Sequence, residues 1–416
     1  MGHIQDRWFR DKVDPETRRP VLNAQGRTVR ERTELYGRGD RYRVRYVDHS
    51  GRERSKSFPD KQKMRAEAFL GEVQTELRRG TYVDPDAGKV AFEVYGRRWL
   101  ASQGFEESTR EAVAQRLRLH VFPHLGHRNL DSLRPSDIRE WLKALLDKKL
   151  GDSYRQVIFV HAQTILNAAV DDERIRKNPC NASSVQKPQI AARKVVPWTA
   201  ERVHAVREAM NERFRVTVAL GAGLGLRQGE AFGLSPDDVD WEQGVVHVRR
   251  QVKLVGERPC FGLPKRGKTR EVPLPESVGR ELRAHMEVYP PLEVTLPWQS
   301  QGGEPVTARV VVWSRERTVA WRPVYNQNAW ATALRRAGVR PLPRVDGFHA
   351  LRHFYASTLL DAGESITALA SYLGHADPGF TLKVYTHLMP SSKQRTQRAV
   401  DAVFGGPELL HGLRTA

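Results

Sequence analysis

Hydrophobic and polar positions change their spacing several times along the chain, and the first change comes at Tyr42. Residues 1–40 are polar and basic and have few regularly spaced apolar residues, which predicts an extended or flexible arm. From Tyr42 to Asp48 apolar and basic residues alternate as in a β-strand, and a turn sequence leads into a second predicted strand over 52–58. Apolar residues at helical spacing follow as far as Gly80, so the pattern predicts a small sheet backed by one helix.

A longer stretch, from Phe92 to about Asn178, has the apolar spacing of helices. The sequence Arg134-Pro135-Ser136-Asp137 is a typical helix start inside it, and about four helices are predicted in all. Polar segments containing proline, at 81–89 and 181–197, flank this stretch and predict two linkers. The aromatic and aliphatic stripes of these helices are expected to form the core of a helical module.

The chain from residue 198 onward mixes helical and strand patterns. Helices are predicted over 203–214 and 215–224, strands over 245–249 and 270–274, and further helices from about Asn326 to Val403. Taken together, the patterns predict a multidomain and mainly α chain. It would consist of a small N-terminal β-sheet-plus-helix domain, a helical domain and an α+β domain.

Charge changes this picture, because 68 Lys and Arg residues against 49 Asp and Glu residues leave a formal net charge of +19. Such an excess favours polyanionic partners such as nucleic acid, and a basic surface that only keeps the chain soluble is the alternative. On the predicted N-terminal strands, basic residues would give one sheet face the charge of a strand ribbon laid in a DNA groove, unless that face is merely solvated. These residues are Arg43, Arg45, Arg52, Arg54 and Lys56.

The cysteine count and the hydropathy pattern indicate the cellular compartment. Cys180 and Cys260 are too far apart to form a metal knuckle and too few for a disulfide framework, which indicates a reducing cytosol. No apolar run approaches the roughly 20 residues that span a membrane. The first residues lack the apolar core of a secretory signal, so no membrane partner is expected.

Glycines at alternate positions over 221–225 could be mistaken for a dinucleotide-binding loop. The glycine required at the sixth position is absent, and a helical run precedes them where that loop would follow a strand. We expect them to loosen the chain before a helix whose first turn presents Arg227. Glu230 follows on the same side, where its carboxylate can hold the guanidinium in place for an anionic ligand, and an exposed ion pair is the alternative.

A basic segment over 263–270 has the composition of a hairpin tip. Lys265 and Lys268 both lie on this tip. A lysine there can enter a DNA groove and, near a phosphate, donate a proton to a leaving oxygen. A solvated turn is the alternative.

The densest set of reactive side chains lies between His349 and Tyr385. His349, Arg352 and His353 have helical spacing and would share a helix face, and Leu373-Gly374-His375 predicts a helix end with a histidine in the turn. Tyrosine offers a nucleophilic oxygen, arginine a fork of donors that matches phosphate oxygens, and histidine can move protons. The alternatives are core packing of each residue and a zinc site at His349 and His353, for which no third ligand is evident.

Taken in order, these residues resemble the catalytic residues of the tyrosine recombinases, the phage integrase family. The resemblance covers about residues 90–390 and rests on the segments Gly225–Glu230, His349–His353, Leu373–His375 and Thr381–His387. It implies an α+β catalytic domain of the tyrosine recombinase type, and the N-terminal sheet and helix are similar, more weakly, to arm-binding domains of larger integrases. The implied parts are an arm-type domain over 1–88, a helical core-binding domain over 89–180, a linker over 181–197, a catalytic domain over 198–390 and a tail over 391–416.

The resemblance implies that Tyr385 attacks a DNA phosphate, giving a 3′-phosphotyrosyl enzyme and a free 5′-hydroxyl. His349 would accept the tyrosine proton and Lys265 would protonate the departing oxygen, with Lys268 as the alternative lysine. Because the phosphotyrosine keeps the bond energy, a second 5′-hydroxyl can reverse the step, so neither a metal nor another cofactor is expected. The implied catalytic residues are Arg227, Lys265, His349, Arg352, His375 and Tyr385, supported by Glu230.

The resemblance also implies a site-specific integrase that integrates or excises a phage or mobile element at the nucleoid of a bacterial cytoplasm. The expected partners are double-stranded DNA attachment sites, further copies of the chain in a homotetramer, and possible accessory proteins, namely an excisionase and a DNA-bending host protein. A resolvase or chromosome-dimer recombinase and an inactive DNA-binding regulator are the alternatives. The apolar residues of the tail would dock in cis or on a neighbouring protomer.

Two departures from the family pattern stand out. Ala350 occupies a position where many relatives carry Asp, which is expected to disturb a supporting contact more than the chemistry. Lys265 and His349 are separated by a long stretch with Pro290-Pro291 and Gly302-Gly303, which predicts an inserted surface loop near 288–310.

Overall fold

The computed structural model describes residues 2–49, 51–190, 196–342, 345–375 and 377–385, together with residues 397, 400, 401, 403 and 404. The chain divides into two compact units, Met1–Gln103 with Ala114–Ile190 and Gly104–Val113 with Ala191–Ala416. The first unit holds a small sheet with one helix and a group of helices, and the second combines helices with short sheets. The predicted multidomain, mainly α class is confirmed. No helix in the described part is long and apolar enough to cross a membrane.

The N-terminal sheet begins earlier than the sequence predicted. The elements are β1 (His3–Asp6), β2 (Phe9–Asp11), β3 (Arg30–Arg32), β4 (Tyr42–Val47), β5 (Glu53–Phe58) and helix α1 (Lys63–Arg79). Strands β1, β4 and β5 form an antiparallel sheet in the order β1-β4-β5, and β2 pairs with β3 as a separate ribbon. The expectation of a flexible start with a sheet only from about residue 41 is therefore wrong, because β1 is too short to show an alternating pattern.

The basic residues of this sheet do not share one face, as the sequence had suggested. Cross-strand partners lie on the same face of a sheet, and Arg54 and Lys56 are paired with Tyr46 and Val44, which are buried against α1. Arg54 is held there by Asp48 and Asp84, and Lys56 lies over the ring of Phe69. On the opposite face, Arg43 and Arg45 are paired with Ser57 and Ser55. Arg52 lies in the turn before β5 and is exposed.

The helical part of the first unit buries apolar residues from each of its helices. Its helices are α2 (Phe92–Ser102), α4 (Pro135–Asp147) and α5 (Asp152–Asp171), together with a π-helical segment, Leu117–Gly126. That segment continues α3 (Glu107–Arg116), whose residues up to Val113 belong to the second unit. Trp141 is buried, stacks on Phe159 and donates its indole N–H to the carbonyl of His120 at 2.7 Å. Most of the aromatic and aliphatic residues that the sequence assigned to the core are buried here, but Leu119, Val157 and Val160 are exposed. Pro135 stands at the first position of α4, where its missing N–H costs no helical hydrogen bond.

The second unit contains the remaining elements. Its helices are α6 (Ala200–Ala209), α7 (Glu212–Leu224), α8 (Gln228–Phe232), α9 (Glu276–Val288), α10 (Arg322–Val324), α11 (Ala331–Arg336), α12 (His349–Asp361), α13 (Ile366–Leu373) and α14 (Pro378–Tyr385). Its strands are β6 (Val239–Asp240), β7 (Val245–Val248), β8 (Gln251–Val255), β9 (Arg258–Gly262), β10 (Arg270–Pro273), β11 (Leu292–Pro297) and β12 (Pro305–Val310). The first sheet has the order β10-β7-β6, while β8–β9 and β11–β12 are antiparallel hairpins.

The segment predicted as an inserted surface loop near 288–310 is mostly the β11–β12 hairpin. Val294, Leu296 and Val310 are buried and join the core of the second unit, because inward-facing apolar residues alternate along both strands. Helices α7 and α12 pack closely in the same core. At Gly221 an added Cβ atom would lie only 2.7 Å from the Leu351 side chain, so this glycine permits the close approach of the two helices.

Candidate active site

Helix α12 brings Arg352 into the centre of the second unit. Arg352 is only 1% exposed. Its Nη1 donates to the carbonyl of Gly225 at 2.6 Å, its Nη2 donates to the carbonyl of Leu373, and the same nitrogen lies 3.2 Å from His375 Nε2. Gly225 has φ +61°, and a Cβ atom there would meet the Tyr355 ring at 2.4 Å, so glycine is required at this position. One guanidinium thus joins the ends of α7 and α13.

Arg227 precedes α8 and contacts Glu230 in the first turn of that helix. The Arg227 backbone N–H donates to Glu230 Oε2 at 2.8 Å, and Arg227 Nη1 donates to Oε1 at 2.8 Å. The sequence left open an exposed ion pair, but Glu230 is buried. Arg270 on β10 donates to both oxygens of the same carboxylate, at 2.9 and 2.7 Å, and its Nε donates to the carbonyl of Tyr372 at 2.6 Å.

Three guanidinium groups and one carboxylate therefore make up this buried cluster, with an excess of positive charge. Burial alone would raise the pKa of Glu230, but the hydrogen bond and charge of Arg270 and the charges of Arg227 and Arg352 lower it to about 2. Burial and the charge of Arg227 lower the pKa of Arg352 to about 9, so the group stays protonated at neutral pH. The cluster suits an anionic ligand such as a phosphate.

His375 follows the left-handed glycine that ends α13, as the sequence predicted for the segment Leu373-Gly374-His375. Its Nδ1 lies 2.7 Å from Thr381 Oγ1, and its Nε2 faces Arg352. Burial and the charges of Arg352 and Arg227 lower the pKa of His375 to about 4, so the ring is neutral at neutral pH. The imidazole is thereby fixed in orientation beside the arginine that would hold a phosphate.

Tyr385 is the last residue of α14 and is 1% exposed. Its Oη lies 2.7 Å from His353 Nδ1, and the two rings are 5.7 Å apart between centroids. Burial raises the pKa of Tyr385 to about 12, although the charge of Arg352 acts in the opposite direction. The phenol is therefore protonated at neutral pH and needs an acceptor for its proton before it can act as a nucleophile.

His349 lies at the edge of a cavity of about 850 Å³ that is also lined by His353, Arg227, Gln228 and Lys253. His349 is exposed to solvent, and its ring centroid lies 4.6 Å from that of His353. Desolvation of the ring by neighbouring atoms lowers the pKa of His349 below its usual range, and the charges of His353 and Arg352 lower it further. The described residues contain no group of three or more His, Cys, Asp or Glu side chains placed to hold a metal ion.

The two candidate lysines lie on the short connection between β9 and β10. Lys265 and Lys268 are both exposed, and the structure brings neither into contact with the arginine cluster of the described residues. Lys253 on β8 does line the cavity, and its Nζ lies 3.1 Å from Glu106 Oε2. A catalytic role for Lys265, or for Lys268, therefore stays a prediction from the sequence.

Sequence reasoning missed three residues of this site. Strand pairing brings Arg270 to the arginine cluster and Lys253 to the cavity. The spacing of residues along the sequence does not show such contacts between distant strands. His353 was considered as a zinc ligand or a core residue and not as part of a phosphate site, although its place one residue after Arg352 was visible. Thr386 and His387 of the tyrosine motif, and residues 391–396 and 405–416 of the tail, lie outside the described residues.

Two family models match the chain in consecutive segments. The phage integrase central domain matches residues 92–185, and the phage integrase family matches residues 198–392. These matches identify a DNA breaking-rejoining enzyme with a tyrosine nucleophile. The chain belongs to the phage integrase family, the tyrosine recombinases.

Relatives in the same family match most of the chain. It is 25% identical over 389 residues to a tyrosine recombinase XerC-like protein of Caldanaerobacter subterraneus subsp. tengcongensis, covering 86% of this chain and 94% of the relative. It is 25% identical over 334 residues to the integrase of Mycobacterium phage L5, covering 77% of this chain and 84% of the relative.

Solved structures share the fold. The Tn1549 transposon integrase in complex with circular intermediate DNA is similar with a TM-score of 0.62 and 20% identity, covering 74% of this chain and 99% of that one. A lambda integrase dimer bound to a COC′ core site is similar with a TM-score of 0.55 and 15% identity, covering 90% of this chain and 95% of that one.

Proposed function

We propose that the chain is a site-specific DNA integrase in which Tyr385 cuts and rejoins DNA for a phage or mobile element. The observation that supports this most strongly is the grouping of a buried tyrosine, three arginines and two histidines around one small volume. The cluster has the positive excess that a phosphodiester requires, and the tyrosine hydroxyl already has a hydrogen-bond partner. Both belong to a domain that matches the phage integrase family.

In this proposal Arg227 and Arg352 hold the non-bridging oxygens of the scissile phosphate. Charge on those oxygens increases in the transition state, and donors fixed in advance stabilise it there at little cost of rearrangement. Arg352 is fixed by two backbone carbonyls, and His375 stands beside it. Glu230 accepts a hydrogen bond from Arg227 and so would keep its guanidinium directed at the phosphate.

Attack by Tyr385 would give a 3′-phosphotyrosyl bond and a free 5′-hydroxyl. The resemblance gives the tyrosine proton to His349, at the edge of the cavity, but the imidazole that contacts the Tyr385 hydroxyl is that of His353. The proposal assigns protonation of the departing 5′ oxygen to Lys265, with Lys268 as the alternative on the same turn. Both lysines are exposed, so bound DNA would have to bring the scissile phosphate and this turn together.

The other parts of the chain would deliver DNA to this site. We assign arm-type DNA binding to residues 1–88, core-site binding to 89–180 and catalysis to 198–390, with a linker over 181–197 and a tail over 391–416. A lambda integrase tetramer has been solved bound to a Holliday junction, and four copies on two duplexes would perform the paired exchanges here too. The tail would dock in cis or on a neighbouring protomer.

The stiffness of DNA is the reason to include accessory proteins in the proposal. Its persistence length is about 150 base pairs, so a chain that binds separate arm and core sites needs the DNA between them to be bent. The proposal therefore includes a DNA-bending host protein and an excisionase that sets the direction of the reaction. The reaction would take place at the nucleoid of a bacterial cytoplasm.

A nicked attachment-site duplex tests the proposed function. DNA flanking the gene supplies the candidate sites, and a nick beside the cleavage position lets the cut fragment diffuse away, so the covalent complex accumulates. We expect protein joined to a 3′ phosphate through Tyr385, a free 5′-hydroxyl, and strand transfer to a second site. Attachment to a 5′ phosphate would contradict the proposal. Relaxation of supercoiled DNA without sequence preference would instead indicate a topoisomerase-like activity.

Removing positive charge from the outer sheet face is expected to weaken arm-site binding. Arg43→Ser with Arg45→Ser removes two cations from the face opposite α1. For each DNA phosphate that is no longer neutralised, the slope of log K against log salt should fall by about 0.9. The measurement is arm-site affinity at several salt concentrations, with Arg280→Ser, an exposed residue of α9, as the control. An unchanged slope in the double variant would rule out binding of phosphates by this face.

A further inference from the structure

His353 is the side chain that touches the reacting oxygen of Tyr385. It lies in the second turn of α12, one residue after the buried Arg352, and α14 ends with Tyr385 against it. The distance between His353 Nδ1 and Tyr385 Oη is 2.7 Å, within the usual range for a hydrogen bond. Since Tyr385 is 1% exposed, water has almost no access to this hydroxyl. The only route for the phenolic proton that the described contacts show leads to His353.

His349 occupies a different place. It is exposed at the edge of the cavity, and its ring meets the edge of the His353 ring at a centroid distance of 4.6 Å and an angle of 80°. His353 therefore stands between His349 and the tyrosine. This arrangement leaves His349 free to face a phosphate in the cavity and gives His353 the contact with the nucleophile.

We infer that His353 is a catalytic residue of the reaction: it holds the Tyr385 hydroxyl and takes its proton during cleavage. The inference rests on the proposed function. The Oη–P bond forms, the bond from phosphorus to the 5′ oxygen breaks, and the phenolic proton moves to Nδ1. The departing 5′ oxygen takes its proton from the lysine of the β9–β10 turn. In rejoining, every step runs backwards, and the proton returns from His353 to Tyr385.

The protonation state of His353 fits this role. Burial and the charge of Arg352 lower the pKa of His353 to about 4, so the ring is neutral at neutral pH and Nδ1 can accept a proton. As the phosphorus–oxygen bond forms, the phenolic oxygen becomes more acidic, and the proton can leave in the same step. A bound phosphate also brings negative charge to Arg352, which raises the pKa of the nearby imidazole.

The other charged and titratable groups around His353 set the background for any pH measurement. Tyr385 faces it from α14, and His349 and Arg352 flank it on α12. His375 lies near enough for the two imidazoles to influence each other. Across the shared cavity stand the cations Arg227, Lys253 and Arg322.

His353→Asn separates proton transfer from positioning, because the amide keeps a polar atom near the place of Nδ1 but cannot take up a proton. In single-turnover cleavage we expect a rate loss on the order of 10²-fold or more, the usual contribution of a general base. The variant should then depend on spontaneous ionisation of Tyr385. Its rate should climb by about tenfold per pH unit above neutrality, while the wild-type rate changes less steeply.

An external nucleophile gives the second readout. In a Tyr385→Phe chain at alkaline pH, hydroperoxide ion can attack the phosphate in place of the missing hydroxyl. This nucleophile has already lost its proton to the buffer and needs no base from the protein. Adding His353→Asn should leave peroxide-driven cleavage in place, whereas adding His349→Asn or Arg352→Lys should lower it, because those groups serve the phosphate. A merely structural role for His353 would lower cleavage by both nucleophiles.

The outcomes divide clearly. Loss of tyrosine cleavage with a steep pH dependence and retained peroxide cleavage supports the inference. Wild-type rates in His353→Asn, or equal losses with both nucleophiles, overturn it and leave the proposed function standing. If the wild-type chain forms no covalent complex on any attachment site, the proposed function fails, and this inference fails with it.

Discussion

A Tyr385→Phe chain is expected to bind its attachment site normally and to form no covalent complex with it. The substitution removes the only atom that the proposed reaction joins to phosphorus and keeps the ring that fills a buried position. It also removes the hydrogen bond to His353, a loss of about 0.5–1.5 kcal/mol in the free energy of unfolding. The measurement is the yield of protein–DNA adduct on a denaturing gel, with a mobility shift to show that binding persists.

A matched control for this experiment lies on α12. Tyr355 is also buried, and burial raises its pKa to about 12, but its ring packs against Gly225 and has no part in the proposed chemistry. Tyr355→Phe should therefore give adduct at the wild-type level. If Tyr385→Phe still forms the adduct, or if only Tyr355→Phe loses it, the nucleophile has been assigned to the wrong residue.

Local spacing along the sequence was enough to group several of these residues. Arg227 and Glu230 lie three positions apart and do pair, and His349 and Arg352 begin the same helix. Such predictions succeed because neighbours at helical spacing meet whatever the rest of the fold does. The left-handed turn before His375 was visible in Gly374 for the same reason.

Contacts between distant elements could not be read from spacing. Arg270 reaches Glu230 because β10 pairs with β7 beside α13, and nothing around residue 270 alone distinguishes it from other basic residues. The contact of His353 with Tyr385 likewise depends on how α14 packs against α12. Strand register also determines which face of the N-terminal sheet each basic residue lies on. Arg43 is paired with Ser57 and Lys56 with Val44, so Arg43 and Lys56 lie on opposite faces.

The Arg270–Glu230 contact leads to the largest expected effect on stability. Glu230→Gln keeps the shape of the side chain and removes the one negative charge among Arg227, Arg270 and Arg352. Breaking a buried ion pair by removing one partner typically costs about 3–5 kcal/mol, because a buried charge is left uncompensated. We expect a loss of this size in the free energy of unfolding, measured by chemical denaturation at neutral pH. Cleavage should fall as well, since Arg227 loses the group that directs it.

The stability difference between wild type and Glu230→Gln should depend on pH in a definite direction. The pKa of Glu230 is about 2 in the folded chain against an ordinary value of 4.5, so its charge adds stability that is fully present above pH 4.5 and is lost as the pH falls toward 2. The difference between wild type and Glu230→Gln should therefore be constant near neutrality and shrink below pH 4.5. Glutamine cannot ionise, so its own contribution does not change over this range.

Glu276 supplies the matched control, because it pairs with Arg280 at 2.7 Å on the surface of α9 and its side chain is 85% exposed. Exposed pairs contribute less than about 1 kcal/mol, so Glu276→Gln should barely change the free energy of unfolding at any pH. Equal and small losses in both variants would show that Glu230 does not balance the arginine cluster. Added inorganic phosphate offers a further check, because an anion that enters the cluster can replace the missing carboxylate charge. It should stabilise Glu230→Gln more than wild type, as expected of a site built to receive a phosphate.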